Sequence, residues 1–163
     1  MTYVIQNPLA GYQPIAVTDT TQNHSLGTIV RANDPTYGGG EFIYLTGVAS
    51  TAVGDWVSFN SETGATVRWA GTAGEGRPLA IAMSANVASQ YGWYQVQGNA
   101  VANISGTVAA GDKVFWQATA TTSSTQVNGK QVLGAIAGGA NGTPATGQAV
   151  VNIDRPHAQG QIV

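Results

Sequence analysis

Apolar residues in this chain come in short runs, broken again and again by Gly, Asn and Asp, as in LGTIVRAND and EFIYLTG. Val, Thr and Ile are abundant, charged pairs four residues apart are missing, and no helical repeat of apolar positions is sustained. Runs of this kind are half- or fully buried strands stopped by turn formers. The pattern predicts strands at Thr28–Arg31, Glu41–Thr46, Trp56–Asn60, Val67–Ala70, Leu79–Met83, Gly92–Gln97, Ala100–Ile104, Lys113–Ala118, Val132–Ile136 and Gln148–Ile153. Ser84–Gln90 is the one stretch with room for a short helical turn. The expected fold is therefore all-β, a compact β-barrel or β-sandwich with one short helix at most.

Within that pattern the chain echoes itself. VGDWVSF, Val53 to Phe59, returns as AGDKVFW, Ala110 to Trp116. GRPLAIA, from Gly76, is answered by GKQVLGAIA, from Gly129, and YGWYQV, from Tyr91, by TGQAVV, from Thr146. The spacing suggests an internal duplication with a unit of roughly 55 residues; the competing explanation is two similar hairpins alike by chance. Gly accepts a positive φ without penalty and Asp can bond the backbone beyond it. Asp55 and Asp112 therefore read as turn formers at two related corners, not as catalytic acids.

The ends differ from the middle. Residues 1–25 carry Pro8 and Pro14 and small apolar clusters, Tyr3-Val4-Ile5 and Ile15-Ala16-Val17, and read as an extended N-terminal arm. Residues 26–154 form the β domain, and residues 155–163, starting at Arg155, form a C-terminal tail. Tyr3, Val4, Ile5 and Tyr12 are costly to leave in water. Short extended segments with apolar beads dock on a sheet edge or in a groove, so these four are candidate contacts with a neighbour.

Composition narrows the function. The chain has 163 residues, enough for one self-sufficient domain. Only 9 % of them are charged and the net charge is −2, far below the usual quarter of a soluble domain. Arg31, Arg68, Arg77, Lys113, Lys130 and Arg155 are scattered, so no basic patch points to nucleic acid or an anionic membrane. Little charge also means little to keep copies apart. A surface covered by partners and a surface solvated by Thr, Ser, Asn and Gln are both open. No cysteine is present, which removes disulfides and thiolate metal sites. No apolar run reaches membrane-spanning length, and MTYVIQNPLAGYQP lacks the basic and apolar regions of a secretory signal.

Catalytic chemistry finds little support. YGGGEF, Tyr37 to Phe42, has no following Lys to make a phosphate cradle; Gly38, Gly39 and Gly40 are expected to form a flexible turn into the next strand. His24 and His157 lack metal-ligand spacing, and no cofactor is expected. Asp19, Asp34, Asp55, Asp112, Asp154, Glu41, Glu62 and Glu75 stand singly, so a two-carboxylate hydrolase would depend on folding to bring a pair together. Trp56, Trp93 and Trp116 fall inside predicted strands and read as core or interface. Trp69, after Arg68, is expected nearer the surface.

Taken in order, LGTIVRANDPTYGGGEFIYLTGVASTAVGDWVSFN, YGWYQVQGNAVA, AGDKVFW, and VLGAIA leading to VVNIDRPHAQG resemble a family. They are similar to the capsid decoration, or cement, proteins encoded among the head genes of tailed bacteriophages. The resemblance runs from about Leu26 to Gly160. It implies a non-enzymatic virion structural protein with a barrel, sandwich or β-tulip-like fold. It also implies a homotrimer on the outer surface of the capsid, assembled in the host cytoplasm, whose partner is the major capsid protein. On this reading Tyr3, Val4, Ile5 and Tyr12 form one contact patch and Arg155, Pro156 and His157 a second. Deleting residues 1–14 is expected to weaken attachment and leave the fold intact. The alternatives are another virion part, such as a tail or head-fibre base, and a carbohydrate-binding module using Trp69 or Tyr91.

Overall fold

The computed structural model describes residues 4–5, 11–70, 73, 75–117 and 120–160. Among these residues eleven strands form one antiparallel-paired sheet: β1 (Val4–Ile5), β2 (Ile29–Asp34), β3 (Gly38–Thr46), β4 (Trp56–Phe59), β5 (Thr66–Arg68), β6 (Leu79–Ala82), β7 (Tyr91–Asn103), β8 (Lys113–Trp116), β9 (Thr122–Ser123), β10 (Gln131–Ala137) and β11 (Gln148–Ala158). The all-β reading holds, and the fold is compact and barrel-like.

The sheet curls on itself twice. In the first curl β3 pairs with the first half of β7, β7 with β6, β6 with β4 and β4 with β5. The end of β3 then returns to the β5 edge, where the Thr46 N–H donates to Gly64 O at 3.1 Å and Thr66 Oγ1 donates to Thr46 O at 2.8 Å. In the second curl the later half of β7 pairs with β11, β11 with β10, β10 with β8 and β8 with β9. It too returns: Ile104 and Thr122 make a parallel bridge, and the Ser105 N–H donates to Thr122 O at 2.9 Å. The pairing order of the two curls is the same. β7 closes the first and opens the second.

The Gly-Asp corners repeat bond for bond. Gly54 has φ +85° and Gly111 has φ +88°. The Asp55 N–H donates to Ala52 O and the Asp112 N–H to Ala109 O, both at 3.1 Å. The Ala52 N–H donates to Asp55 Oδ2 at 3.0 Å and the Ala109 N–H to Asp112 Oδ2 at 2.9 Å. Ala82 and Ala137 each donate to the corner aspartate's carbonyl at 2.9 Å. Two unrelated hairpins would have no reason to share this set together with the strand order, so the echo in the sequence is a repeat in the structure. The corners differ in depth. Asp55 is buried and also accepts from Arg68 Nε at 2.9 Å and Asn103 Nδ2 at 2.8 Å, whereas Asp112 is half-exposed.

Packing explains why β4 and β6 are buried along their whole length, with Ser58 their one polar residue. Val57, Phe59, Ala80 and Ala82 face the inside of the first curl, with Leu45, Tyr94 and Val96. Trp56, Leu79 and Ile81 point the other way, into the core of the second curl, with Ala100, Val114, Trp116 and Val151. A strand buried on both faces has no polar side to show. Burial also pushes the Tyr94 hydroxyl up to about 12, beside the Asn86 amide with which it shares a 3.1 Å hydrogen bond.

Four expectations change. Gly38–Gly40 is not a turn but the start of β3, paired with Asn33, Asp34 and Ala32. The turn lies one step earlier, where Asp34 Oδ1 accepts from the Thr36 N–H at 2.8 Å and the Tyr37 N–H at 3.0 Å, with Pro35 pre-set for the reversal. Ser84–Gln90 makes bends and a turn, not a helix, because its carbonyls serve the neighbouring loop: the Val48 N–H donates to Asn86 O and the Gly47 N–H to Gln90 O. The two strands predicted over residues 92–104 are one strand, β7, bent at Gly98. Gly98 has φ +102°, and a Cβ there would stand 2.4 Å from Gly39 O, so only glycine fits. Trp69 is 2 % exposed, turned in against Trp116 at 5.2 Å between ring centroids. Beyond these, β11 continues through the expected tail boundary to Ala158, and residues 11–25 lie against β3 and β7.

The unequal depth of the corners gives a measurable difference. Asp55→Ala strands Arg68 and the Ala52 and Asn103 donors, and should cost about 2–4 kcal/mol. Asp112→Ala loses one half-exposed turn bond and should cost about 1 kcal/mol. Urea unfolding of both variants checks the ranking.

Candidate functional site

Two openings meet at one residue. The first is a polar pocket of about 540 Å³ lined by Arg31, Glu41, Gln97, Asp154 and Arg155, with Ala32, Gly39 and Gly40 beneath them. The second is an apolar groove of about 170 Å³ lined by Ile29, Ile43, Phe59, Pro78, Leu79, Val96 and Pro156. Arg155 borders both.

The pocket arises from strand register. β2 alternates outward Ile29, Arg31 and Asn33 with inward Val30, Ala32 and Asp34. The Asp34 turn sets Arg31 directly opposite Glu41. Arg31 Nε and Nη2 donate to Glu41 Oε1 at 3.1 and 3.0 Å, and Arg155 Nη2 donates to Oε2. Glu41 is nearly enclosed, its side chain 14 % exposed, while the two arginines stay open at 75 % and 60 %. Four of the chain's few charged side chains thus gather at one spot, guanidiniums outward and the glutamate beneath them. Close approach of the backbone makes room for this: β3 shifts register at Glu41/Phe42, and Gly40 sits opposite Gly98, where a Cβ on Gly40 would stand 2.8 Å from Gln97 O.

Arg155 itself is strained. It has φ +44° and precedes a proline, a combination that side-chain-bearing residues avoid. By strand pairing, in which Ala82 faces Tyr94 and Ala137 faces Val151, it stands where Gly98 stands in β7, so the echo that sets YGWYQV against TGQAVV is out of register by two residues. Glycine meets the bend without cost in β7, and arginine meets it at a cost in β11. Pro156 beyond it is buried, and His157 is exposed, paired with Leu133 and bridged to Pro78.

The expected contact residues fall as follows. Tyr3 lies outside the described residues. Val4 is 62 % exposed on β1 and pairs with Asn33, while Ile5 pairs with Ala32. β1 thus pairs directly with β2, the strand that carries Arg31. Tyr12 is different. It is half-buried against the chain's own Trp93 and His24, with ring centroids 6.3 and 5.0 Å away. Its partner here is intramolecular, because the next residue, Gln13, is locked into the barrel. Gln13 Nε2 donates to Val17 O at 2.6 Å, Gln13 Oε1 accepts from Tyr44 Oη at 3.1 Å, and Gln13 O accepts from Trp93 Nε1 at 2.9 Å. Deleting residues 1–14 would therefore orphan buried polar atoms of β3 and β7; a truncation ending at Ala10 spares them.

Sequence reasoning missed Ile29, Arg31, Glu41 and Asp154 as a group. The signal was present for two of them: a reversal at Asp34-Pro35 folds Arg31 onto Glu41. Asp154 and Arg155 reach the same spot only through pairing of β11 with β7.

Glu41 and Asp154 do share a pocket, as a two-carboxylate site requires, but both Glu41 oxygens are engaged by guanidiniums. Asp19, Asp34, Asp55 and Asp112 accept backbone N–H groups of nearby turns. Among the described residues no group of three or more His, Cys, Asp or Glu is placed to hold a metal ion. No family model matches the chain, and neither a curated protein nor a solved structure matches it.

The strain at Arg155 has a testable size. Arg155→Gly relieves the backbone by about 1 kcal/mol and loses one exposed ion pair worth less than about 1 kcal/mol. Its thermal midpoint should equal or exceed that of the parent protein by calorimetry.

Proposed function

We propose that this chain is a non-enzymatic structural protein of a tailed-phage virion, a capsid decoration protein that grips the outer surface of the head and bridges neighbouring capsomers. The observation that carries the reading is the face around Arg155, where an apolar groove adjoins outward guanidiniums on the curled sheet. A residue kept in a strained backbone conformation at the surface, where glycine would be easier, points to a role for its side chain outside the fold. Ile29, 45 % exposed beside it, offers an apolar anchor, and the resemblance of the sequence segments to decoration proteins supplies the partner, the major capsid protein.

The mechanism is mechanical. Each copy makes modest contacts, and a homotrimer engages several at once, so effective concentration multiplies the hold. Low surface charge suits subunits that must lie close to each other and to a lattice. Assembly takes place in the host cytoplasm, on the finished shell.

Heads lacking the protein provide the test. Ile29→Asp with Arg155→Glu should fold normally and lower occupancy on such heads at least about tenfold, equivalent to 1.4 kcal/mol per site; sedimentation and imaging read the occupancy. Wild-type occupancy by the double variant would overturn the assignment of this face, and failure of the parent protein to bind any head would overturn the reading itself. Because Glu41 and Asp154 share the pocket, a second reading is glycoside hydrolysis by that pair. It requires turnover of a glycan by the purified protein, abolished in Asp154→Asn.

A further inference from the structure

Residues 11–25 form a strap across one side of the first curl, and its fastening depends on one imidazole. The His24 ring lies among Tyr12, Tyr44 and Trp93, with centroid separations of 5.0, 5.0 and 5.5 Å. Its Nε2 is 3.1 Å from the Gln13 backbone nitrogen, whose N–H donates to it. That bond exists only while Nε2 carries no proton, so the ring is in its Nδ1–H neutral form. Gln13 is in turn the residue on which the strap is hung: it takes the Trp93 indole N–H, the Tyr44 hydroxyl and the Asn23 amide, and is itself buried. Ile15 beneath it is 2 % exposed.

We propose that His24 is the catch of a pH-sensitive strap: protonation of Nε2 turns the acceptor for the Gln13 N–H into a second donor, and residues 11–25 lift from Tyr44 and Trp93. The surrounding ring faces attract an imidazolium, but they supply no acceptor for the displaced Gln13 N–H. The other titratable groups that face the ring are the Tyr12 and Tyr44 phenols, with Tyr91 stacked beyond Tyr44 and Asp19 held by Asn23 on the strap itself. Burial pushes the Tyr44 phenol up from its ordinary value, so it stays neutral beside the ring. Hydrogen bonds from Thr21 and Asn23 hold the Asp19 carboxyl below its ordinary value, which keeps it ionised from about pH 5 to 8.

The direction follows from linkage. Desolvation lowers His24 below its ordinary 6.5 while the strap is shut. The lifted strap, with a pKa near 6.5, takes up the proton first. Closure is therefore complete above 6.5 and weakens as pH falls from 6.5 toward the lowered value.

Hydrogen exchange of the full chain, corrected for intrinsic rates, tests this directly. Protection of residues 11–25 should drop about five- to tenfold between pH 7.5 and 5.5, a limit set by an open-state pKa near 6.5, while β4, β6 and β8 keep theirs. In His24→Gln, whose amide can accept without titrating, strap protection should no longer depend on pH. Equal wild-type protection at both pH values would overturn the proposal, as would an undiminished drop in a folded His24→Gln. Should that variant lose core protection, the His24 C2-proton shift of the parent protein serves instead. A shift that titrates together with strap opening supports the catch, and strap opening without titration of His24 overturns it.

Discussion

Strand β7 is the constraint on which the rest of the structure depends. Its first half completes one curled sheet and its second half begins the next, so thirteen consecutive residues must pair with β3, β6 and β11 in turn. A straight strand of that length would carry one flat sheet. Gly98 allows the bend, because its missing Cβ lets β3 approach where any side chain would strike the Gly39 carbonyl. The two curls are held as one body by the wall between them. β4 and β6 send alternate side chains into both cores, so neither core can loosen without exposing residues of the other.

The repeat also shows what a duplicated scaffold leaves free to vary. Both Gly-Asp corners keep the same backbone bonds, since those bonds turn the chain. The side chains around them have diverged. Asp55 has become a buried node for Arg68 and Asn103, while Asp112 remains a turn former beside an exposed Lys113. The long strands bend at corresponding places, with glycine in one and arginine in the other. It is at the arginine that the charged pocket and the apolar groove come together.

The N-terminal segment illustrates a different balance. Two of its apolar residues, Tyr12 and Ile15, are covered, and what covers them is this chain's own aromatic wall. Tyr12, Gln13, Ile15 and His24 form a compact unit in which Gln13 is bonded both within the segment and to Tyr44 of β3 and Trp93 of β7. Among the described residues of this segment, Val4, on the outer edge of the sheet, and Val17 stay exposed.

What the sequence by itself determined is local: short apolar runs between turn formers are strands, Gly-Asp is a corner, and a corner written twice marks a repeat. These hold because they depend on backbone sterics and on side chains a few residues apart. Nine of the eleven strands overlap runs visible in the chain, two of those runs merging into β7. The other two, β1 and β9, are two-residue strands with too little pattern to show. Only the tertiary structure decided that Trp69 turns inward, that Gly38–Gly40 is strand, and that Arg31, Glu41, Asp154 and Arg155 share one pocket. Each of those depends on which strand lies alongside which, and pairing between residues more than a hundred positions apart is set by the total burial of two cores, which no short stretch of sequence contains.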